Sequence, residues 1–304
     1  MSRAIAAVVV AVAVAGAVAV AVAARTDRSA RRSEPAVVAP PGPVVLSSPT
    51  PLAVVWAVGD GADGGDAAKA VVARMRAGRL DRLLYLGDVY DDGTAEEFRT
   101  NYAPVYGALA RRTAPTPGNH EWPNRASGYD PFWRGVQGRR MPAYYSFRLG
   151  SWQVLSLNSE APHGAGSPQL RWLRRQLAAT AGTCRLAFWH KPRFSSGIHG
   201  DTEDVAPLWD ALRGHAVLVA SGHDHDLQRF RPRGGLTQLV AGAGGHGLYP
   251  LAPDPRRAFG DDRHYGAVRI ALRRGSADVR FVAADGRVLD RSSVGCRPPA
   301  GGRR

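Results

Sequence analysis

Five short apolar runs in this chain stop at residues of the metal-binding kind. Residues 52–58 lead to Gly59-Asp60, 82–86 to Gly87-Asp88, 113–116 to Gly118-Asn119-His120, 184–189 to His190, and 215–220 to Gly222-His223-Asp224-His225. Continuous apolar runs of this length read as strands covered on both faces. Helical spacing lies between them. Residues 66–77 have it, with Gly78 placed as a stop, and so do 204–212. Thr94-Ala95-Glu96-Glu97 is a capping-box start, and Pro104 is expected to kink or end the helix that follows. Pro168 opens a helix to about residue 180, with Leu170, Leu173 and Leu177 on one stripe.

Strands alternating with helices predict an α/β architecture. Further strands are expected at 143–149, 152–157, 236–241 and 267–272, with a hairpin over 277–288. This β-rich remainder predicts two sheets packed face to face with helices outside, an αββα sandwich.

The ends differ from this pattern. Residues 4–24 are an unbroken run of Ala, Val, Ile and Gly, long enough for a helix that just spans a bilayer. Ala21-Val22-Ala23 offers a cleavage site. Arg25, Arg28, Arg31 and Arg32 would hold that flank in the cytoplasm. The reading favours export, as a signal peptide or membrane tether over 1–25, hence a secreted or membrane-anchored extracytoplasmic protein. Residues 26–51 form a Pro-rich linker, 52–296 the catalytic domain, and 297–304 a flexible tail. Cys184 and Cys296 are the two cysteines. An exported chain can join them, tying a strand to the C-terminal tail; two buried thiols are the alternative.

The net charge of +14 is carried by arginine, since Lys69 and Lys191 are the only lysines. Such a surface attracts anions. The arginines are scattered, without interleaved stacking aromatics, so no specific nucleic-acid binding is expected. Gly242-Ala243-Gly244-Gly245 lacks a strand–loop–helix setting and is read as backbone passing close to the site, not as a nucleotide loop.

In α/β sheets, sites form beyond the carboxyl ends of strands. The five ends together supply carboxylate, amide and imidazole donors and no thiolate. That mixture suits iron, manganese or zinc better than calcium and is large enough for two ions. Two adjacent cations need a shared anion, and Asp88 is the candidate. His120, beside Asn119, is free to protonate a leaving oxygen.

These motifs, with Val89-Tyr90, Glu121 and Phe188-Trp189, resemble those of calcineurin-like metallophosphoesterases, and within them the purple acid phosphatase-like branch. They fall in the family's order across residues 52 to about 245. The resemblance implies one ion on Asp60, Asp88 and His225, and a second on Asp88, Asn119, His190 and His223, the two metals being iron with zinc or manganese. It implies hydrolysis of a small phosphorylated substrate, a phosphomonoester, by a metal-bound hydroxide. It makes Asn119 and His120 substrate contacts, with His120 the acid and His199 a second substrate-side histidine. Arg193 is placed at the phosphate only by its nearness in sequence. Two departures stand out. Ala62 occupies the place of a metal-binding histidine in the first motif. Tyr90 is one residue closer to Asp88 than the branch's tyrosine, where Asp91 stands instead; Tyr90 is the preferred ligand and Asp91 its rival. A phosphodiesterase on the same scaffold is one alternative, and a non-catalytic surface protein binding acidic polymers is another.

Overall fold

The computed structural model describes residues 53–179 and 182–296. The segments read as signal or tether, linker and tail therefore lie outside the described residues. Among the described residues, no helix is long and apolar enough to cross a membrane.

Thirteen strands are described, in chain order β1 Ala53–Val58, β2 Arg82–Tyr85, β3 Thr113–Pro115, β4 Tyr145–Leu149, β5 Trp152–Ser156, β6 Cys184–Phe188, β7 Leu218–Ser221, β8 Leu227–Phe230, β9 Thr237–Ala241, β10 Arg257–Asp261, β11 Gly266–Arg273, β12 Ser276–Ala283 and β13 Val288–Gly295. They form two mixed sheets. One runs β13-β12-β11-β1-β2-β3 and the other β10-β8-β9-β7-β6-β5-β4. The strands that carry the motifs are parallel: β1, β2 and β3 in the first sheet, and β5, β6, β7 and β9 in the second. Their carboxyl ends therefore open on the same edge of each sheet.

The period-2 alternation of strand side chains shows how the second sheet is covered. Leu186 and Phe188 of β6, with Leu218 and Ala220 of β7, enter the core shared with the first sheet. Ala187 and Val219 point the other way, into a second core with Leu170, Leu173, Leu177 and Leu208. Leu170, Leu173 and Leu177 are the stripe expected from the sequence, on helix Pro168–Ala179. Helix Asp66–Arg76 packs Val71, Val72 and Met75 into the first core. Two sheets with helices against them match the expected class.

Local differences have physical reasons. The capping box at Thr94 forms, with Thr94 and Glu97 bonded reciprocally. Pro104 does not end the helix that follows. A wider π turn at Phe98–Tyr102 precedes it, Ala103 N–H donates to Phe98 C=O, and Pro104 opens the next helical segment, where a missing N–H matters least. Helix Tyr129–Gln137 was not foreseen; Pro131 and Gly135 interrupt its pattern, while Tyr129 and Trp133 bury its inner face.

Cys184 and Cys296 are joined. The bond ties β6 of one sheet to the residue after β13 of the other, across a separation of 112 residues. The Trp152 indole N–H also crosses between the sheets, donating to Arg273 C=O at 2.8 Å. A cross-link closing so long a loop removes much unfolded-state entropy, so reduction or Cys296→Ser is expected to lower the unfolding free energy by about 2–5 kcal/mol in urea titrations.

Candidate metal centre

Among the described residues, three other than glycine have left-handed backbone, and all three are predicted ligands: Asp60 (φ 60°), Asp88 (φ 66°) and His223 (φ 73°). Each follows a glycine at the end of a parallel strand. The conformation is unfavourable for residues with a Cβ, by on the order of 1–3 kcal/mol, and persists where the surroundings impose it. Here it ends the strand abruptly and turns the side chain into the crevice. The glycines nearby make room. A Cβ on Gly118 would lie 2.0 Å from Asp88 Oδ1, and one on Gly222 would lie 2.3 Å from Asp60 Oδ2.

The ligand-type atoms fall into two groups. In one, the Tyr90 hydroxyl is 2.8 Å from His225 Nε2, 3.3 Å from Asp60 Oδ1 and 3.4 Å from Asp88 Oδ2. In the other, His190 Nε2 is 3.3 Å from Asp88 Oδ2, 3.0 Å from Asn119 Oδ1 and 3.2 Å from His223 Nδ1. Asp88 Oδ2 belongs to both. The donor atoms of Asp88, His190 and His223 all lie within 4.8 Å of one another.

Backbone carbonyls fix two of the imidazoles. His190 Nδ1 faces Leu86 C=O at 2.8 Å, and His225 Nδ1 faces Gly247 C=O at 2.7 Å. A carbonyl only accepts, so both Nδ1 atoms carry a proton and both Nε2 atoms face the crevice, the orientation of metal-bound histidines. Aromatic rings cover the group from outside. Tyr249 stacks on His225 at 3.9 Å, and His246 stacks on Tyr90 at 3.9 Å.

The electrostatics mark a place for positive charge. Burial, with Asp88 nearby, holds the Asp60 carboxyl well above the ordinary carboxylate range. Burial acts the same way on Asp88, but His190 and His120 outweigh it and keep Asp88 below that range. Burial disfavours the charged His190 imidazole, yet Asp88 and Asp60 overcome this and push it up to about 10. Burial brings His223 down to about 2 and His225 to about 4, leaving both neutral, the form that binds metal. Two buried carboxylates, an amide, a phenol and three imidazoles without sulfur form a set that fits iron, manganese or zinc.

The other predicted residues are placed as follows. His120 stands at the mouth, its Nε2 3.8 Å from Asp88 Oδ2, with Nδ1 bonded to Asp91 C=O. His199 stacks on His223 at 4.2 Å, at the exposed lip. Asp91 is exposed, and its N–H is bound by Glu97, so Tyr90 and not Asp91 reaches the cluster. Arg193 does not join the cluster: its guanidinium pairs with Glu203 at 2.8 and 3.0 Å. Being three residues from His190 in sequence carried it no closer, because the loop turns away. The glycine run 242–245 passes close, as expected; a Cβ on Gly242 would lie 2.9 Å from Asp60 Oδ2.

Glu121 has a role that sequence reasoning missed, although it belongs to the Gly-Asn-His-Glu motif. It is fully buried, and its Oε2 accepts from Asp88 N–H at 3.1 Å and Val89 N–H at 3.3 Å. It thereby fastens the left-handed turn at Asp88. Tyr249 and His246 were not assigned either; nothing in spacing singles them out.

Residues 47–227 match the family of calcineurin-like phosphoesterases. Tartrate-resistant acid phosphatase type 5 of Rattus norvegicus is 24% identical over 276 residues, covering 76% of this chain and 84% of that protein. A 3′,5′-cyclic-nucleotide phosphodiesterase of Nostoc is 31% identical over 177 residues, covering 53% of this chain and 62% of that one. In fold, the chain resembles purple acid phosphatase from yellow lupin seeds, with a TM-score of 0.66 at 18% identity over 81% of this chain and 54% of that chain.

Burial, with Asp88 nearby, pushes the Glu121 carboxyl up to about 8. In the metal-free protein the folded state keeps this proton while the unfolded state has lost it above about pH 4.5. Stability is therefore expected to fall as pH rises from about 5 through 8, and Glu121→Gln should flatten that slope in melts across the range.

Proposed function

We propose that this chain, which belongs to the calcineurin-like phosphoesterase family, is a binuclear metal-dependent hydrolase of small phosphomonoesters, of the purple acid phosphatase kind. The observation that carries this reading is the meeting of the Tyr90 hydroxyl with Asp60, Asp88 and His225, beside a second group that shares Asp88. Asp60, Asp88, Tyr90 and His225 would hold one ion; Asp88, Asn119, His190 and His223 would hold the other. The oxygen and imidazole donors, with the phenol, favour iron paired with zinc or manganese. When bound, two such ions supply positive charge for the phosphoryl oxygens and lower the pKa of water.

The chain's own residues supply the rest. Asp88 keeps the two groups at one spacing. Asn119 and His120 face the phosphoryl group. His120 Nδ1 is tied to Asp91 C=O, so Nε2 is free to pass a proton to the leaving oxygen. His199, at the lip, contacts the ester group. The Cys184–Cys296 bond supports a secreted or extracytoplasmic setting, free or tethered through residues 4–24. Hydrolysis of a phosphodiester is the second reading, favoured by the similarity to the Nostoc cyclic-nucleotide enzyme.

The test is turnover of p-nitrophenyl phosphate by the full chain with defined metals. Metal-dependent hydrolysis is expected, lost in Asp88→Asn. His120→Asn should lower kcat by about 10²–10⁴ with metal content unchanged. No monoester turnover by folded, metal-loaded protein would sink the monoesterase reading, and turnover confined to cyclic or bis-aryl diesters would favour the second. The iron-loaded protein should also show a visible phenolate band that Tyr90→Phe removes.

A further inference from the structure

A cleft of about 400 Å³ lies outside the metal cluster, lined by Arg193, Phe194, Trp209, Asp210, Arg213 and Arg233. None of the predicted metal ligands lines it. Three guanidiniums thus face one space against one lining carboxylate. Two of them, with Arg256 from outside the lining, also crowd a single ring: Arg193 lies 4.6 Å, Arg233 4.9 Å and Arg256 5.4 Å from the centroid of Phe194.

Like charges brought together in this way repel unless each is neutralised. Arg256 is, by Asp201 at 2.6 Å and Asp254 at 2.7 Å. Arg193 is, by its two bonds to Glu203. Arg213 has only Asp210 at 3.6 Å and is 57% exposed. Arg233 makes no ion pair among the described residues, and its guanidinium lies over the ring of Phe194. Arg213 and Arg233 therefore line one cleft against a single carboxylate, Asp210, and their planar donors match the oxygens of a phosphate.

We propose that this cleft is a second, non-catalytic binding site for a phosphate-type oxyanion, held by Arg213 and Arg233. The volume exceeds that of phosphate alone and falls in the range of small-molecule pockets. Free inorganic phosphate and the phosphate of a small phosphorylated molecule share the chemistry that the arginines recognise. The site shares its segment with the metal centre, since Arg193 and Phe194 lie on the stretch between His190 and His199.

The test is calorimetric titration of inorganic phosphate, and separately of adenosine monophosphate, into the metal-stripped full chain, where the metal centre does not compete. Saturable binding is expected. Arg213→Ala with Arg233→Ala should weaken it at least tenfold, and Asp210→Asn, which removes the lining carboxylate, should tighten it severalfold. Both arginines are exposed, so melts of the double variant should stay within a few degrees of the parent. Tighter binding of the nucleotide would identify a phosphorylated organic ligand; equal or tighter binding of phosphate would identify the free ion. Absence of saturable binding, or binding unchanged in the double variant, overturns the proposal. So does a loss of metal-dependent turnover in the double variant as large as its loss of binding, because the arginines would then belong to the catalytic substrate path.

Discussion

Every polar atom of Asp88 is committed, and the neighbouring elements are fixed by those commitments. Its N–H donates to Glu121, its C=O accepts from the Tyr85 hydroxyl at 2.6 Å, and its Oδ1 accepts from His120 N–H at 3.2 Å. Its Oδ2 is left for the two donor groups. Because Glu121 and His120 follow β3 while Asp88 follows β2, these bonds lock two strand ends together. They also hold Asp88 in a left-handed conformation that an isolated chain would avoid. Burial raises the Asp60 carboxyl nearby as it does Asp88, but Asp60 stays high whereas His190 and His120 outweigh burial and hold Asp88 low. One carboxylate charged and the next disposed to keep its proton is the state of a site built around more positive charge than the protein itself provides.

The parts read correctly from sequence are those whose physics is local. A continuous apolar run marks a doubly covered strand whatever its partner, so β1, β2, β6 and β7 were legible, with the polar side chains that the structure gathers at their ends. The run 242–245 was read as backbone passing close to the site, and Gly242 shows that approach. The parts missed depend on tertiary context. β10 alternates between half-buried and exposed residues at a sheet edge and has no apolar signature. Helix Tyr129–Gln137 is stabilised by aromatic contacts such as Phe132 with Phe98 at 4.7 Å, which no spacing reveals. The one-residue shortfall at Tyr90 left two candidates, and only the chain's path resolved it: Asp91 turns to solvent while Tyr90 stacks beneath His246. The cysteine pairing was open for the same reason, since it depends on how β6 and β13 are brought together.

Arg193 shows where sequence proximity misleads. A residue three positions past a ligand can sit beside it only if the backbone continues in the same direction. Here Pro192 follows Lys191, and Arg193 is drawn to Glu203 on the far side of the same loop. The consequence is chemical. In the proposed reading, Asn119 and the histidines meet the phosphoryl oxygens without Arg193, and bound cations would supply the remaining positive charge. That dependence fits a family whose members work through metals.

The arginine excess bears on partners in a similar way. A +14 chain invites the idea of a polyanion surface. Many arginines are matched locally: Arg99 with Glu96, Arg229 with Asp290, Arg256 with Asp201 and Asp254, Arg273 with Asp278, and Arg287 with Asp285. Surface pairs such as Arg99 with Glu96 add little stability, but together these pairs divide the positive field into short-range dipoles. The convergence of Arg213 and Arg233 in one cleft differs in kind, because their charge stays concentrated over a space the size of a small molecule. The proposed anion site would thus draw its charge from a local pair of arginines and not from the overall excess.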